Sequence, residues 1–270
     1  MTKKIYFMAG LPRAGSTLLS SILCQNPDVY SGPSSPVFPL MHAMDTHIKM
    51  DPLYKAFPKP EQIAAVMKGV VSTFYSDHSC QHVIDKNRAW PGNVDMIEGL
   101  ITDRAKIICP VRDTAGILAS FISMFRRTPY KEGNLRLNFI DELLVKHDIP
   151  LTDDNRCDFI AGPRGALGNA MQAMQDAVAK GWRDRLHFVE YDDLLKNPTK
   201  SLKQIYDFLE LPGFEHDFQN ISNPNPEDDW SVYGLPDMHA VKARISPPEK
   251  RPDEVLSKYV LSRCTGHQKW

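Results

Sequence analysis

Lys4-Ile-Tyr-Phe-Met-Ala9 runs into Gly10-Leu-Pro-Arg-Ala-Gly15-Ser16-Thr17, which passes straight into Leu18-Leu19-Ser-Ser-Ile22-Leu23. The first stretch is short and apolar, the pattern of a buried strand, and the last carries apolar residues at helical spacing. A strand that turns through glycines into a helix leaves unpaired backbone N–H groups at the positive end of the helix dipole, where an anion docks. The glycines let the backbone come close to oxygen atoms. The turn therefore reads as a phosphate loop; its plain alternative is a strand-to-helix turn with glycine punctuation.

One departure narrows the chemistry. A nucleotide-hydrolysing loop of this kind reads GxxxxGK[ST], and here Ser16 occupies the lysine position. Positive charge sits instead at Arg13, in the middle of the turn. Such a loop suits a phosphate or sulfate group without the usual nucleoside triphosphate and magnesium apparatus.

Around the loop, composition is ordinary. A chain of 270 residues with 42% hydrophobic and 24% charged residues can build one large α/β domain, and we expect a single domain over 1–270. The 32 basic and 33 acidic residues leave a net charge of -1, so neither nucleic acid nor an anionic membrane is an expected partner. Five cysteines, an odd number and widely spaced, form no CxxC pair and suggest neither disulfides nor zinc. No apolar run approaches the roughly 20 residues of a membrane span, and the short one at the N-terminus feeds the loop rather than a cleavage site. A reducing cytoplasm is the expected setting.

Strand patterns recur at 29–30, 81–85, 106–111 and 186–190, each separated from the next by helical ones. Lys106-Ile-Ile-Cys-Pro-Val111 is continuous enough for a strand covered on both faces. The alternation predicts an α/β protein, a three-layer P-loop-type fold with a central parallel sheet flanked by helices. In the helix expected over 61–75, Ile63, Val66, Val70 and Phe74 lie at spacings of three and four and are read as core. Residues 212–252 are polar and proline-rich, with little periodicity, and read as an irregular lid or wrap.

The loop at Gly10, the loop at Ser31, Lys86, Arg112 and Tyr191 all follow predicted strands, so a parallel sheet collects them at one edge. In that order they resemble the sulfotransferases that use 3′-phosphoadenosine 5′-phosphosulfate (PAPS), especially the tyrosylprotein sulfotransferases and their bacterial relatives. Gly10-Leu-Pro-Arg-Ala-Gly-Ser-Thr-Leu-Leu is similar to that family's 5′-phosphosulfate loop. Val111-Arg112-Asp113 with Ser120 resembles its 3′-phosphate motif, Tyr191 its adenine-contacting tyrosine, and Leu256-Ser257-Lys258-Tyr259 its last cofactor-binding segment. The resemblance implies PAPS as co-substrate, no metal, and sulfuryl transfer to a hydroxyl or amine by in-line displacement.

The residue chemistry agrees. Arg13, the N–H groups of Ala14, Gly15, Ser16 and Thr17, and the hydroxyls of Ser16 and Thr17 would hold one anion, and Arg112 with Ser120 a second. A planar guanidinium holds two phosphate oxygens at once; the plainer role for Arg112 is a surface ion pair with Asp113 or a helix neighbour. Lys86 resembles the family lysine that neutralises the leaving oxygen, and its plain alternative is a surface lysine. The family's proton-accepting glutamate is missing: Ser34 stands at that position, in Gly32-Pro33-Ser34-Ser35-Pro36. His42 and His47 just downstream are candidate bases, with His42 carried as the catalytic one; Asp45 and Asp85 are weaker. Arg126, Arg127, Lys131 and Arg136 form either a solvated helix end or an acceptor surface, and Lys242 or Arg244 is expected to close the cofactor site. Two rivals stay open, a nucleotide or small-molecule kinase on the same fold and a non-catalytic nucleotide-binding protein that has lost its base. Acceptor and oligomeric state are not specified.

Overall fold

The computed structural model describes residues 3–128 and 137–264. Its five strands, β1 (Lys4–Met8), β2 (Val29–Ser34), β3 (His82–Lys86), β4 (Ile107–Val111) and β5 (Leu186–Glu190), form one sheet in the order β2-β3-β1-β4-β5. All pairings are parallel, so every strand ends at the same edge. The predicted α/β architecture is the one observed.

Alternation along each strand sends side chains to two separate cores, one per face. Phe7, Val83, Ile107 and Cys109 belong to the larger one. It is covered by α4 (Pro60–Phe74), α5 (Val94–Leu100), α6 (Thr114–Arg127) and α9 (Ala166–Ala179). Tyr6, Met8, Ile84 and Ile108 point the other way, onto α1 (Ser16–Leu23) and α11 (Pro198–Leu209). Pro110 lies within a buried strand, an unusual place for a residue lacking an N–H. It is tolerated because β1 has already ended there: a Cβ on Gly10 would stand 2.7 Å from the Pro110 nitrogen, so only glycine lets the chain pass.

Several boundaries differ from the sequence reading. β2 runs on to Ser34, so the loop expected from Ser31 begins later. Within α4 the buried side chains are Met67 and Val71, while Val66 and Phe74 are exposed, which corrects their assignment to the core. The sheet-facing stripe lies one residue further along, a shift that periodicity leaves undetermined when apolar residues occupy both sides. The helix α2 (Val37–Met50) and the short α3 (Pro52–Ala56) follow β2. An unpredicted helix, α8 (Asp153–Ala161), is polar, with only Cys157 and Ile160 buried, so it carried no apolar stripe to read.

Elsewhere α7 spans Phe139–Lys146, α10 Tyr191–Lys196 and α12 Asp229–Tyr233. Two short helices close the described chain, α13 (Pro252–Val255) and α14 (Lys258–Arg263). Lys131 and Arg136 lie outside the described residues. Among the described residues no helix is long and apolar enough to cross a membrane.

Candidate active site

The chain leaves β1 through Gly10 and Leu11, whose N–H donates to the Pro110 carbonyl at 2.8 Å. It then reverses at Arg13, in the left-handed region at φ 58°, and at Gly15, φ 85°. A non-glycine residue in that region is strained and marks a site where the surroundings impose the conformation. Ala14 turns its N–H back to the Leu11 carbonyl at 3.4 Å. The N–H groups of Gly15, Ser16 and Thr17 have no backbone acceptor among the described residues and open the first turn of α1. Of the four N–H groups expected to be open in the loop, three are open and that of Ala14 is not.

Two arginines meet above it. Arg13 donates from Nε to Ser120 Oγ at 3.1 Å and from Nη1 to the Met238 carbonyl at 2.6 Å. Arg112, at the end of β4, donates to the Arg13 carbonyl at 3.2 Å and lies over the Tyr191 ring at 4.4 Å. That ring packs where a Gly15 side chain would be, its Cδ2 only 2.9 Å from the ideal Cβ position. Asp113 caps α6 by accepting from the Gly116 N–H at 2.6 Å, so the simple Arg112–Asp113 ion pair is not the arrangement found.

Burial, reinforced by Arg112 and Arg127, pushes the Arg13 guanidinium down to about 10. Arg112 Nε is buried without any hydrogen-bond partner. An unpaired donor of a charged group is costly inside a protein. Arg13, Gly15, Arg112, Ser120 and Tyr191 are therefore brought together as expected.

Lys86 ends β3 with its side chain almost wholly buried and its Nζ 4.0 Å from Glu227 Oε1. Burial pushes its ammonium down to about 8; Glu227 opposes that shift and the nearby Arg88 adds to it. Beneath it Asp85, 0% exposed, accepts from Ser35 Oγ at 2.5 Å, Tyr75 OH at 2.6 Å and Trp90 Nε1 at 2.7 Å. That network makes Asp85 an internal brace joining β3 to its neighbours.

Glu227 belongs to a group absent from the sequence reading. His239 Nδ1 lies 2.6 Å from Asp229 Oδ1 and 3.4 Å from Glu227 Oε2, and the His239 N–H donates to Asp229 Oδ2 at 2.7 Å. Ligand atoms of the three lie within 4.8 Å of one another, so the same set can surround a metal ion. All three come from the aperiodic stretch 212–252. The available signal was the acidic run Glu227-Asp-Asp229 with one histidine behind it, in a stretch whose folding back over the sheet edge has no local code.

Other expected positions are exposed, and Ser34 among them is the register partner of Lys86 across β2 and β3. His42 is exposed on α2, stacked on Phe38 with ring centroids 5.6 Å apart, and His47 pairs with Asp51 at 3.2 Å. Ser34 is exposed at the end of β2. Lys258 is exposed at the start of α14, where its neighbours Ser257 and Tyr259 bond to Asp154 and Asp158 on α8. Lys242 pairs with Glu249 at 2.8 Å on the surface.

The ends of the parallel strands thus gather the glycine loop, two guanidiniums and a buried ammonium. The family model for the Sulfotransferase family matches residues 6–216, most of the chain, and the chain belongs to that family. Solved structures agree in fold. The sulfotransferase domain from the curacin biosynthetic pathway is 17% identical, over 80% of this chain and 76% of its own, at a TM-score of 0.50. The sulfotransferase domain of the Synechococcus PCC 7002 olefin synthase is 19% identical over 90% and 84%, at 0.51. Retinol dehydratase, in a complex with retinol and PAP, is 14% identical over 98% and 80%, at 0.50. A comparison with curated protein sequences finds no match.

Proposed function

We propose that this sulfotransferase takes its sulfuryl group from PAPS and passes it to a hydroxyl or amine acceptor. The guanidinium of Arg112, held beside Arg13 and Ser120, carries the reading. It asks for a second anion apart from the one that the loop N–H groups hold, and PAPS has two, a 5′-phosphosulfate and a 3′-phosphate. When bound, PAPS supplies an activated sulfuryl group on a phosphate leaving group. The chain supplies the rest: N–H groups of Gly15 to Thr17 hold the phosphosulfate, Arg112 and Ser120 the 3′-phosphate, and Tyr191 the adenine. Lys86 holds its proton near the leaving oxygen, where a fixed positive charge acts most strongly on the transition state.

The five cysteines are unpaired, which fits residence in a reducing compartment such as the cytoplasm. Calorimetric titration with adenosine 3′,5′-bisphosphate (PAP), beside ATP with magnesium, tests the donor. Binding of PAP without magnesium supports it; binding of ATP–magnesium alone transfers the assignment to kinase chemistry.

A further inference from the structure

We propose that His239, oriented by Asp229, takes the proton from the acceptor, and that Glu227 connects this base to Lys86. The inference rests on the sulfuryl-transfer reading above.

Asp229 grips His239 twice, one oxygen on the backbone N–H and the other on the ring. A carboxylate only accepts hydrogen bonds, so Nδ1 carries the hydrogen and the neutral ring keeps its lone pair on Nε2. A base in turn oriented by a third group is the arrangement that nucleophile activation requires. Both side chains are largely withdrawn from solvent, at 12% and 8% exposure. Tyr233 packs across the imidazole, with centroids 5.5 Å apart and planes at 60°, and fixes the ring further.

Position follows from the preceding residue. The Met238 carbonyl is held by Arg13 at 2.6 Å, which ties the chain just before His239 to the loop after β1. Glu227 spans the remaining gap, with Oε2 3.4 Å from His239 Nδ1 and Oε1 4.0 Å from Lys86 Nζ. Its carboxylate thereby faces both groups that are cationic late in the reaction. This dyad fills the role left empty by Ser34, from a different part of the chain.

The step balances. The acceptor's proton moves to His239 Nε2 as the acceptor oxygen or nitrogen forms its bond to sulfur. The bond from sulfur to the 5′-phosphate oxygen breaks, and its electron pair stays on that oxygen, facing the Lys86 ammonium. The imidazolium then releases its proton to solvent. Water as acceptor gives sulfate by the same route.

The test combines three measurements on wild type, His239→Gln and Asp229→Asn, all in chelator so that no metal sets the imidazole state. Calorimetry with PAP reports donor-site integrity. Nitrogen NMR of the ring, assigned by the signal that disappears in H239Q, reports the tautomer. PAP release from PAPS, with water as acceptor, reports turnover. We expect PAP affinity within about twofold of wild type in both variants, an Nδ1–H tautomer in wild type that is lost in D229N, and PAP release down by roughly 100-fold or more in H239Q. An Nε2–H tautomer in wild type, or an H239Q variant releasing PAP as fast as wild type, overturns the assignment even if H239Q is the only variant that folds. Failure of wild type to bind PAP overturns the donor reading instead, so the two failures are distinct.

Discussion

Arg13 donates to the backbone carbonyl of Met238 at 2.6 Å, across 225 residues of chain. The same guanidinium donates to Ser120 on α6. One side chain in the anion loop thus holds both the helix that follows β4 and the segment carrying Glu227, Asp229 and His239. A lysine there keeps the charge and loses the planar fork that makes the two bonds together. Arg13→Lys should bind PAP about tenfold more weakly and show faster deuterium uptake in peptides covering 235–240. Uptake equal to wild type would count against the clamp.

Arg112 is expected to be the larger contributor to donor binding. Its guanidinium is already partly withdrawn from water, so a phosphate meets a group part of whose dehydration cost was met on folding. Arg112→Ala should weaken PAP binding by roughly 1.5–3 kcal/mol. An unchanged dissociation constant, measured calorimetrically, would refute the placement of the 3′-phosphate.

Lys86 should govern the alkaline side of the pH profile. Buried, it is pushed from its ordinary 10.5 to about 8, so its proton is lost from the free enzyme as pH rises through 8. Turnover needs the protonated form, hence kcat/KM should fall above about pH 8. The fall in kcat should come at higher pH, because a bound anion favours the ammonium. Lys86→Arg should move both limbs upward, and Lys86→Ala should lower turnover far more than PAP affinity. A profile flat to pH 10 would rule out this role.

Asp85 should matter first for folding. Its carboxylate serves Ser35, Tyr75 and Trp90 in a region without solvent. Removing it leaves three buried donors unsatisfied, so Asp85→Ala should cost about 3–5 kcal/mol in chemical denaturation. Asp85→Asn keeps one acceptor oxygen and should lose less. A loss below about 1 kcal/mol in the alanine variant would mean that water replaces the carboxylate.

Gly15 is held at φ 85° with the Tyr191 ring against it. Gly15→Ala should strain the turn by roughly 1–2 kcal/mol and displace the ring. Weaker binding of PAP, with inorganic pyrophosphate binding less affected, would separate the adenine platform from the loop.

Much of this protein is local information. The loop from Gly10 to Thr17 was legible because glycine, charge and the strand-to-helix change fall within a few consecutive residues. Lys86, Arg112 and Tyr191 were legible because each ends a strand, and parallel strands end together. Their order along the chain carried the family resemblance. By contrast, α8 lacks an apolar stripe, and the buried side of α4 was misplaced because apolar residues sit on two of its sides. Glu227, Asp229 and His239 were illegible for a deeper reason. No periodicity shapes 212–252; its path is decided by distant contacts such as Arg13 to the Met238 carbonyl and the Ile221 N–H to the Ala243 carbonyl. Sequence alone determined the strand-to-helix loop, the sheet and the order of residues along its edge, since those depend on neighbours in the chain. Which carboxylates and which histidine stand beside Lys86 was decided only by the tertiary structure, because hydrogen bonds between remote segments, and not local preference, set that geometry.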